Sequence, residues 1–306
     1  MIQIKNLVKN YGPKAAVRGI SFSVEKGEIV GFLGPNGAGK STTMNILTGY
    51  LSATDGTAAI AGFDVLDDAL EARKHVGYLP EQPPLYLDMT VNEYLNFVYD
   101  LKKAKGSRTK HLREICEKVG LSDVRKRLIK NLSKGYKQRV GIASALVGDP
   151  EVLILDEPTV GLDPNQIGEI RSLIKDLGKE KTVILSTHII PEVMAVCERV
   201  VIINDGQIVA DDKLSNLMDT AAGNKLFVSL DCTGAEGMEL LASIPGIKDV
   251  ARDGKGFIVT LEDGADVRRG IFFAAAEKKF PILEMRKAEI SLEKIFADLT
   301  LKGGRA

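Results

Sequence analysis

Gly31-Phe-Leu-Gly-Pro-Asn-Gly-Ala-Gly-Lys-Ser-Thr42 is the stretch that decides the fold. From Gly34 through Pro35, Asn36, Gly37, Ala38, Gly39 and Lys40 to Ser41 it spells G-x-x-x-x-G-K-[ST], a loop that cradles phosphates on backbone N–H groups. The apolar run Glu28-Ile-Val-Gly-Phe-Leu33 before it reads as a buried parallel strand, and Ser41 to Thr48, stopped by Gly49, reads as a helix. Glycines let the chain curl with its amides inward, and the helix start adds partial positive charge where phosphates would sit. Lys40 is placed to neutralise β- and γ-phosphate oxygens and the Ser41 hydroxyl to ligate Mg²⁺; Thr42 belongs to the same nucleotide-binding set.

Further along, Val152-Leu-Ile-Leu-Asp156-Glu157 is an apolar strand that ends in two acids. A core strand gains nothing from such an ending, whereas one acid can hold Mg²⁺ through water and the other can polarise an attacking water. Thr182 to His188 is another buried strand, with a histidine where this fold class places reacting groups. Leu132-Ser-Lys-Gly-Tyr-Lys-Gln-Arg139 opens a helix with Ser133 at its N-cap, an anion site to which Lys134 adds charge.

Ile2 to Val24 alternates like two short strands around Tyr11-Gly-Pro13, and Thr57 to Gly62 offers a third after a turn at Thr54-Asp-Gly56. They predict a small antiparallel sheet beside the nucleotide, with the Tyr11 ring available to stack on adenine. His75 to Gln82 predicts a strand ended by Pro80, and Thr90 with Glu93 has capping-box spacing. Val91, Tyr94, Leu95 and Val98, then Leu112, Ile115 and Val119, form apolar stripes of a helical insertion, with Lys102 to Lys110 as a solvated loop between its helices. After Gly161-Leu-Asp163-Pro, an amphipathic helix turns Ile167, Ile170, Leu173, Ile174 and Leu177 inward, and Val200 to Ala210 forms a hairpin across Asp205-Gly206.

Lysine plus arginine and aspartate plus glutamate both number 41, so the chain offers no basic footprint and no nucleic-acid partner is expected. Cys116, Cys197 and Cys232 stand singly, which predicts packed, reduced thiols rather than disulfides or zinc. The N-terminus lacks the pattern of a signal peptide, and no apolar run approaches membrane-spanning length, so the chain is expected to be cytosolic and to meet a membrane only through a partner. From about Leu214 the order strand, helix, strand, strand, helix, strand suggests a small ferredoxin-like α+β domain, with helices at Ala235–Ser243 and Ala265–Glu277 and a closing helix at Ser291–Phe296.

Tyr11, Gly34–Ser41, Gln82, Leu132–Gln138, Asp156–Glu157, Asp163 and His188 follow one another as in an ATP-binding-cassette (ABC) ATPase, and residues 1 to about 215 resemble that family. The resemblance implies an α/β phosphate-loop NTPase domain, 1–215, with a RecA-like parallel-sheet core, an antiparallel β subdomain and a helical subdomain over about 83–150. The accessory domain, 216–306, further resembles bacterial exporter ATPases of the gliding-motility, copper-processing and multidrug type. By the same resemblance Tyr11 stacks on adenine, Lys40 binds the triphosphate, Ser41 with Gln82 holds Mg²⁺, and Asp156 supports the metal through water. Glu157 is the implied general base, His188 the γ-phosphate contact and Asp163 a residue of the dimer seam. Ser133 and Gly135 would meet ATP bound to a second copy of the chain, although Lys134 and Tyr136 depart from the usual Leu-Ser-Gly-Gly-Gln signature. The implied role is a peripheral subunit, on the cytoplasmic face of the membrane, that powers a separate permease through ATP-driven dimerisation. The alternative is a soluble cassette ATPase of cofactor assembly, ribosomes or DNA; ribosome-acting relatives usually carry two cassettes and chromosome-type ones a long coiled coil, and neither is present.

Overall fold

The computed structural model describes residues 1–262, 264–288 and 291–302. They divide into two units, Met1–Leu214 together with the chain from Leu299 onward, and Ser215–Asp298.

In the first unit β1 (Ile2–Tyr11) and β2 (Lys14–Val24) form an antiparallel hairpin. Next come β3 (Ile29–Leu33), the phosphate loop and α1 (Lys40–Leu47), then β4 (Asp55–Ile60) and β5 (Phe63–Asp64). These build an antiparallel sheet of order β2-β1-β4-β5. The expected turn at Thr54–Gly56 is instead the start of β4: a Cβ at Gly56 would lie 2.2 Å from the Asn6 carbonyl oxygen, so glycine lets two backbones pair where any side chain would collide.

The short helix α2 (Ala69–Lys74) leads to β6 (Val76–Leu79), followed by α3 (Val91–Leu101), α4 (Arg108–Lys118) and α5 (Lys134–Leu146). Then come β7 (Val152–Asp156), α6 (Pro164–Gly178), β8 (Thr182–Thr187), α7 (Ile190–Val196), β9 (Arg199–Asn204) and β10 (Gln207–Lys213). The second sheet has order β10-β9-β3-β8-β7-β6, parallel except for the β9–β10 hairpin. Its central strands β7 and β8 are buried along their whole length, as apolar runs covered on both faces must be. Phe22 of β2 stacks on Phe32 of β3 at 5.4 Å, and Met44, Ile46 and Leu47 of α1 join the same core, so both sheets share one apolar interior around that helix. The consequence for chemistry is positional. The carboxyl ends of β3, β6, β7 and β8 lie on one edge of the sheet, bringing the loops after Leu33, Leu79, Asp156 and Thr187 together.

Thr90 and Glu93 make the full capping box of α3, which buries Val91, Tyr94, Leu95 and Val98. The Lys102–Lys110 segment is largely exposed, as expected, with Arg108–Lys110 already in α4, yet Lys102 is anchored: its Nζ donates to the carbonyls of Ser144 at 3.0 Å, Ala145 at 3.0 Å and Val147 at 2.9 Å. These groups at the C-terminal end of α5 lack helical partners, and an ammonium satisfies them while opposing the helix dipole. In α6, Ile170, Leu173, Ile174 and Leu177 are buried, but Ile167 is only half-buried. Among the described residues no helix is long and apolar enough to cross a membrane.

After α8 (Leu214–Ala222), the second unit runs β11 (Lys225–Leu230), α9 (Gly234–Ala242), β12 (Ile247–Asp253), β13 (Gly256–Leu261), α10 (Arg268–Glu277) and β14 (Ile282–Lys287). All its neighbouring strands are antiparallel, in the order β12-β13-β11-β14. Val228, Leu240, Leu241, Phe257, Val259 and Ile271 form its separate core. The helix expected from Ala265 begins only at Arg268, because the Asp266 carboxylate accepts from the Arg268 N–H at 3.2 Å and from its guanidinium. Such local bonds hold Asp outside a helix. The closing helix α11 (Leu292–Lys302) runs further than Phe296; Glu289, Ile290 and residues 303–306 of the expected accessory domain, with Asp263, lie outside the described residues.

Candidate nucleotide-binding site

The phosphate loop leaves β3 and enters α1 through Gly39, whose φ of 107° is open to glycine but not to a side chain. At Gly34 the constraint is space instead, since a Cβ would sit 2.4 Å from the Ile203 carbonyl oxygen. Pro35 and Ala38 close the loop internally, the Ala38 N–H donating to the Pro35 carbonyl at 3.2 Å. Lys40 is 6% exposed. Its Nζ donates to the carbonyls of Gly34 at 2.8 Å and Pro35 at 3.3 Å, and stands 3.6 Å from Glu157 Oε1.

Asp156 ends β7 and Glu157 lies just beyond it, and their carboxylates take different partners. Asp156 is buried, and its Oδ1 accepts from the Ser186 hydroxyl at 2.7 Å. Burial raises its carboxyl above the usual range, while the hydroxyls of Ser186 and Ser41 pull it back down. Glu157 is also buried, and its φ of 49° turns the chain sharply so that its carboxylate faces the loop. The His188 ring donates through Nδ1 to Glu157 Oε1 at 2.8 Å, and Thr187 Oγ1 lies 3.3 Å from Glu157 Oε2. A carboxylate, an ammonium and an imidazole are thereby held together on one sheet edge.

Beside them lies a cleft of about 380 Å³, lined by Tyr11, Lys14, Ala16, Asn36, Gly37, Gly39, Lys40, Ser41, Thr42, Glu81 and Glu157. Tyr11 ends β1 with its ring nearly half exposed on this cleft. Sequence reasoning missed Lys14 and Glu81. Lys14 opens β2 just past the Tyr11 turn, and Glu81 follows Pro80 at the end of β6. Gln82, the residue expected to hold metal, is exposed and directly follows Glu81, which lines the cleft.

The residues expected to act across a dimer lie outside the cleft. Ser133 caps α5, its hydroxyl accepting from the Tyr136 N–H at 3.4 Å. Asp163 caps α6, accepting from the Gln166 N–H at 2.9 Å, a structural role the sequence reasoning did not assign. Lys134 lies over Gly161, where a Cβ would fall 2.0 Å from its Nζ, and Gly135 is buried against the Gln166 side chain, while Tyr136 is 40% exposed. A second buried glutamate, Glu192 of α7, also went unnoticed in the sequence, where nothing but its place four residues beyond His188 marks it.

For Mg²⁺ the fitting donors are the Ser41 hydroxyl and the Asp156 carboxylate, hard oxygens close enough for the hydroxyl to depress the carboxyl. Among the described residues no three His, Cys, Asp or Glu side chains form a metal cage. Mg²⁺ is ordinarily bound by one or two carboxylates plus phosphates and water, which suits this donor set.

A family model described as ABC transporter matches residues 17–160. The chain is 33% identical to the linearmycin resistance ATP-binding protein LnrL of Bacillus subtilis over 308 residues, covering 98% of each. It is 38% identical to the bacitracin transport ATP-binding protein BcrA of Bacillus licheniformis over 219 residues, 71% of each. Among solved structures, the dimeric structure of MJ0796, a bacterial ABC transporter cassette, superposes with a TM-score of 0.64 at 31% identity, covering 70% of this chain and 99% of that one.

Proposed function

Because this chain belongs to the ABC transporter family, as an ATP-binding and ATP-hydrolysing subunit, we propose that it works as a dimer to energise an exporter whose membrane-spanning path is a separate permease. The observation that carries the proposal is the approach of Lys40 Nζ to Glu157 Oε1, 3.6 Å, beside the glycine cradle. The names of LnrL and BcrA, one a resistance and the other a transport protein, support the exporter role, and the dimeric MJ0796 cassette supports the pairing. The subunit would then sit on the cytoplasmic face of the membrane.

In the proposed reaction the loop amides and Lys40 hold the triphosphate and Tyr11 stacks on the base. Ser41 and Asp156 would hold Mg²⁺, which supplies charge neutralisation at the phosphate oxygens. Glu157 takes a proton from the water that attacks the γ-phosphorus, and the bond to the β-phosphate oxygen breaks, giving ADP and phosphate. His188 holds the Glu157 carboxylate through Oε1 and contacts the γ-phosphate. Ser133 and Gly135, with Lys134 and Tyr136 beside them, close on the ATP of the partner copy, and Asp163 lies at the seam. The loop after β6 contributes through Gln82 or, as the cleft lining favours, Glu81. We assign residues 1–215 to the ATPase domain and 216–306 to an accessory domain of ferredoxin-like topology, which the strand order β12-β13-β11-β14 and the βαββαβ sequence of elements support.

Lys40→Ala tests the core of this proposal. Phosphate release should fall to background and nucleotide binding should weaken greatly, whereas unchanged turnover would remove the foundation. The transport role is tested by co-expressing the chain with any multi-span membrane protein encoded beside it and asking whether the two purify together with ATPase activity.

A further inference from the structure

Glu192 is 1% exposed, and burial holds its carboxyl above the usual carboxylate range, with Arg171 of α6 partly offsetting the effect. Burying a carboxylate is expensive unless every lone pair is used. Here each oxygen has its own partner. Thr187 Oγ1 donates to Oε2 at 2.8 Å, and Thr159 Oγ1 donates to Oε1. Thr187 immediately precedes His188, and Thr159 comes two residues after Glu157. One carboxylate therefore fastens together the two segments that carry the general base and the histidine bonded to it.

We propose that Glu192 is a positioning residue for ATP hydrolysis, holding the Thr159 and Thr187 segments at the separation that aims Glu157 at its water. The proposal rests on Glu157 being the base. A second consequence comes from counting hydrogens. Thr187 has one hydroxyl hydrogen and two carboxylate oxygens within reach, Glu192 Oε2 at 2.8 Å and Glu157 Oε2 at 3.3 Å, while its own oxygen accepts from the Ile189 N–H at 3.1 Å. The shorter bond takes the hydrogen. Glu157 Oε2 keeps its lone pairs for the proton of the attacking water, and its Oε1 stays held by His188. Without Glu192 the Thr187 hydrogen turns to Glu157, occupying the oxygen that catalysis needs.

The test uses the full chain and three variants, Glu192→Ala, Thr159→Val and Thr159→Ser. Misplacing a reacting group by about 1 Å costs on the order of 10²-fold in rate, so kcat should fall about that much in Glu192→Ala and Thr159→Val, with KM for ATP unchanged. Thr159→Ser, which restores the hydroxyl, should recover most of the turnover. Combining Glu192→Ala with Thr159→Val should cost little more than Glu192→Ala alone, because that change already removes the Thr159 link. Thr159→Val preserves side-chain shape and keeps the test open should Glu192→Ala fold poorly. Near-normal kcat in Thr159→Val, a rise in KM in place of a fall in kcat, no recovery with serine, or additive losses would each overturn the proposal. Failure of Glu157 as the base would show separately, as full turnover in Glu157→Gln.

Discussion

Replacing Glu157 with glutamine separates the binding of ATP from its hydrolysis. The amide keeps an oxygen within reach of His188 Nδ1, which now bonds Oε1 at 2.8 Å, and it preserves the volume of a side chain that is 6% exposed. Lys40 loses a charged neighbour at 3.6 Å but retains the Gly34 and Pro35 carbonyls, so the phosphate loop should keep its shape and its affinity. What disappears is a group able to accept a proton. A general base typically contributes ~10²–10⁴-fold, which is ~2.7–5.4 kcal/mol of barrier. Steady-state phosphate release should drop by that factor while equilibrium binding of ATP survives, and bound ATP should accumulate unhydrolysed. Because Ser133 and Gly135 would close over the partner's nucleotide, the variant should sediment as a dimer in ATP and Mg²⁺ and as a monomer without them. Turnover within a few-fold of the parent would exclude Glu157 as the base. A monomer fully occupied by ATP would argue against an autonomous homodimer and leave the permease or a different ATPase chain as the closing partner.

Gly34→Ala should cost about 1–3 kcal/mol in urea unfolding and weaken ATP binding, since its Cβ would meet the Ile203 carbonyl oxygen at 2.4 Å; an unchanged urea midpoint would refute that packing. Lys102→Met should lower stability by about 1–3 kcal/mol by leaving the α5 carbonyls of Ser144, Ala145 and Val147 without their donor, and an undisturbed midpoint would show water serves them as well. Burial, with the Glu192 charge adding, pushes the Cys197 thiol up to about 12. Iodoacetamide at about pH 8 should therefore spare Cys197 until the protein is unfolded, as thiolate rather than thiol reacts. The folded thiol pKa lies above the unfolded value of about 8.5, so this contribution to stability is complete below that value and is lost as pH rises toward 12. Relative to Cys197→Ala, the parent should lose stability as pH rises above about 9, and an increasing advantage would contradict the sign.

Much of the site was legible because its signals are local. The spacing from Gly34 to Ser41, the acids closing an apolar strand and the capping box at Thr90 each depend on residues a few positions apart, and the structure puts them where that logic requires. Glu81 and Gln82 show the limit, since only the path of the chain past Pro80 decides how each stands toward the cleft, and no periodicity encodes a loop. Lys102 and Glu192 are a harder case. Each is an ordinary charged residue in sequence, and each acquires its meaning from backbone or hydroxyl groups far away in the chain. Short helices such as α2 and α7 escaped for a related reason, as six or seven residues hold too little periodicity to stand out.

The Lys102 bonds also bear on how movement would travel through the first unit. They fasten the C-terminal end of α3 to the C-terminal end of α5, while Ser133 caps the opposite end of α5. Thirteen residues of helix make a rod ~20 Å long, and a tilt of ~10° about its fastened end displaces the other by ~3 Å. A push on the segment leading into α3 would thus reach Ser133 as a lever stroke comparable to the length of one hydrogen bond. That stroke is large enough to make or break the proposed bonds of Ser133 to a phosphate of the partner copy, with no residue along the rod needing to change its own conformation.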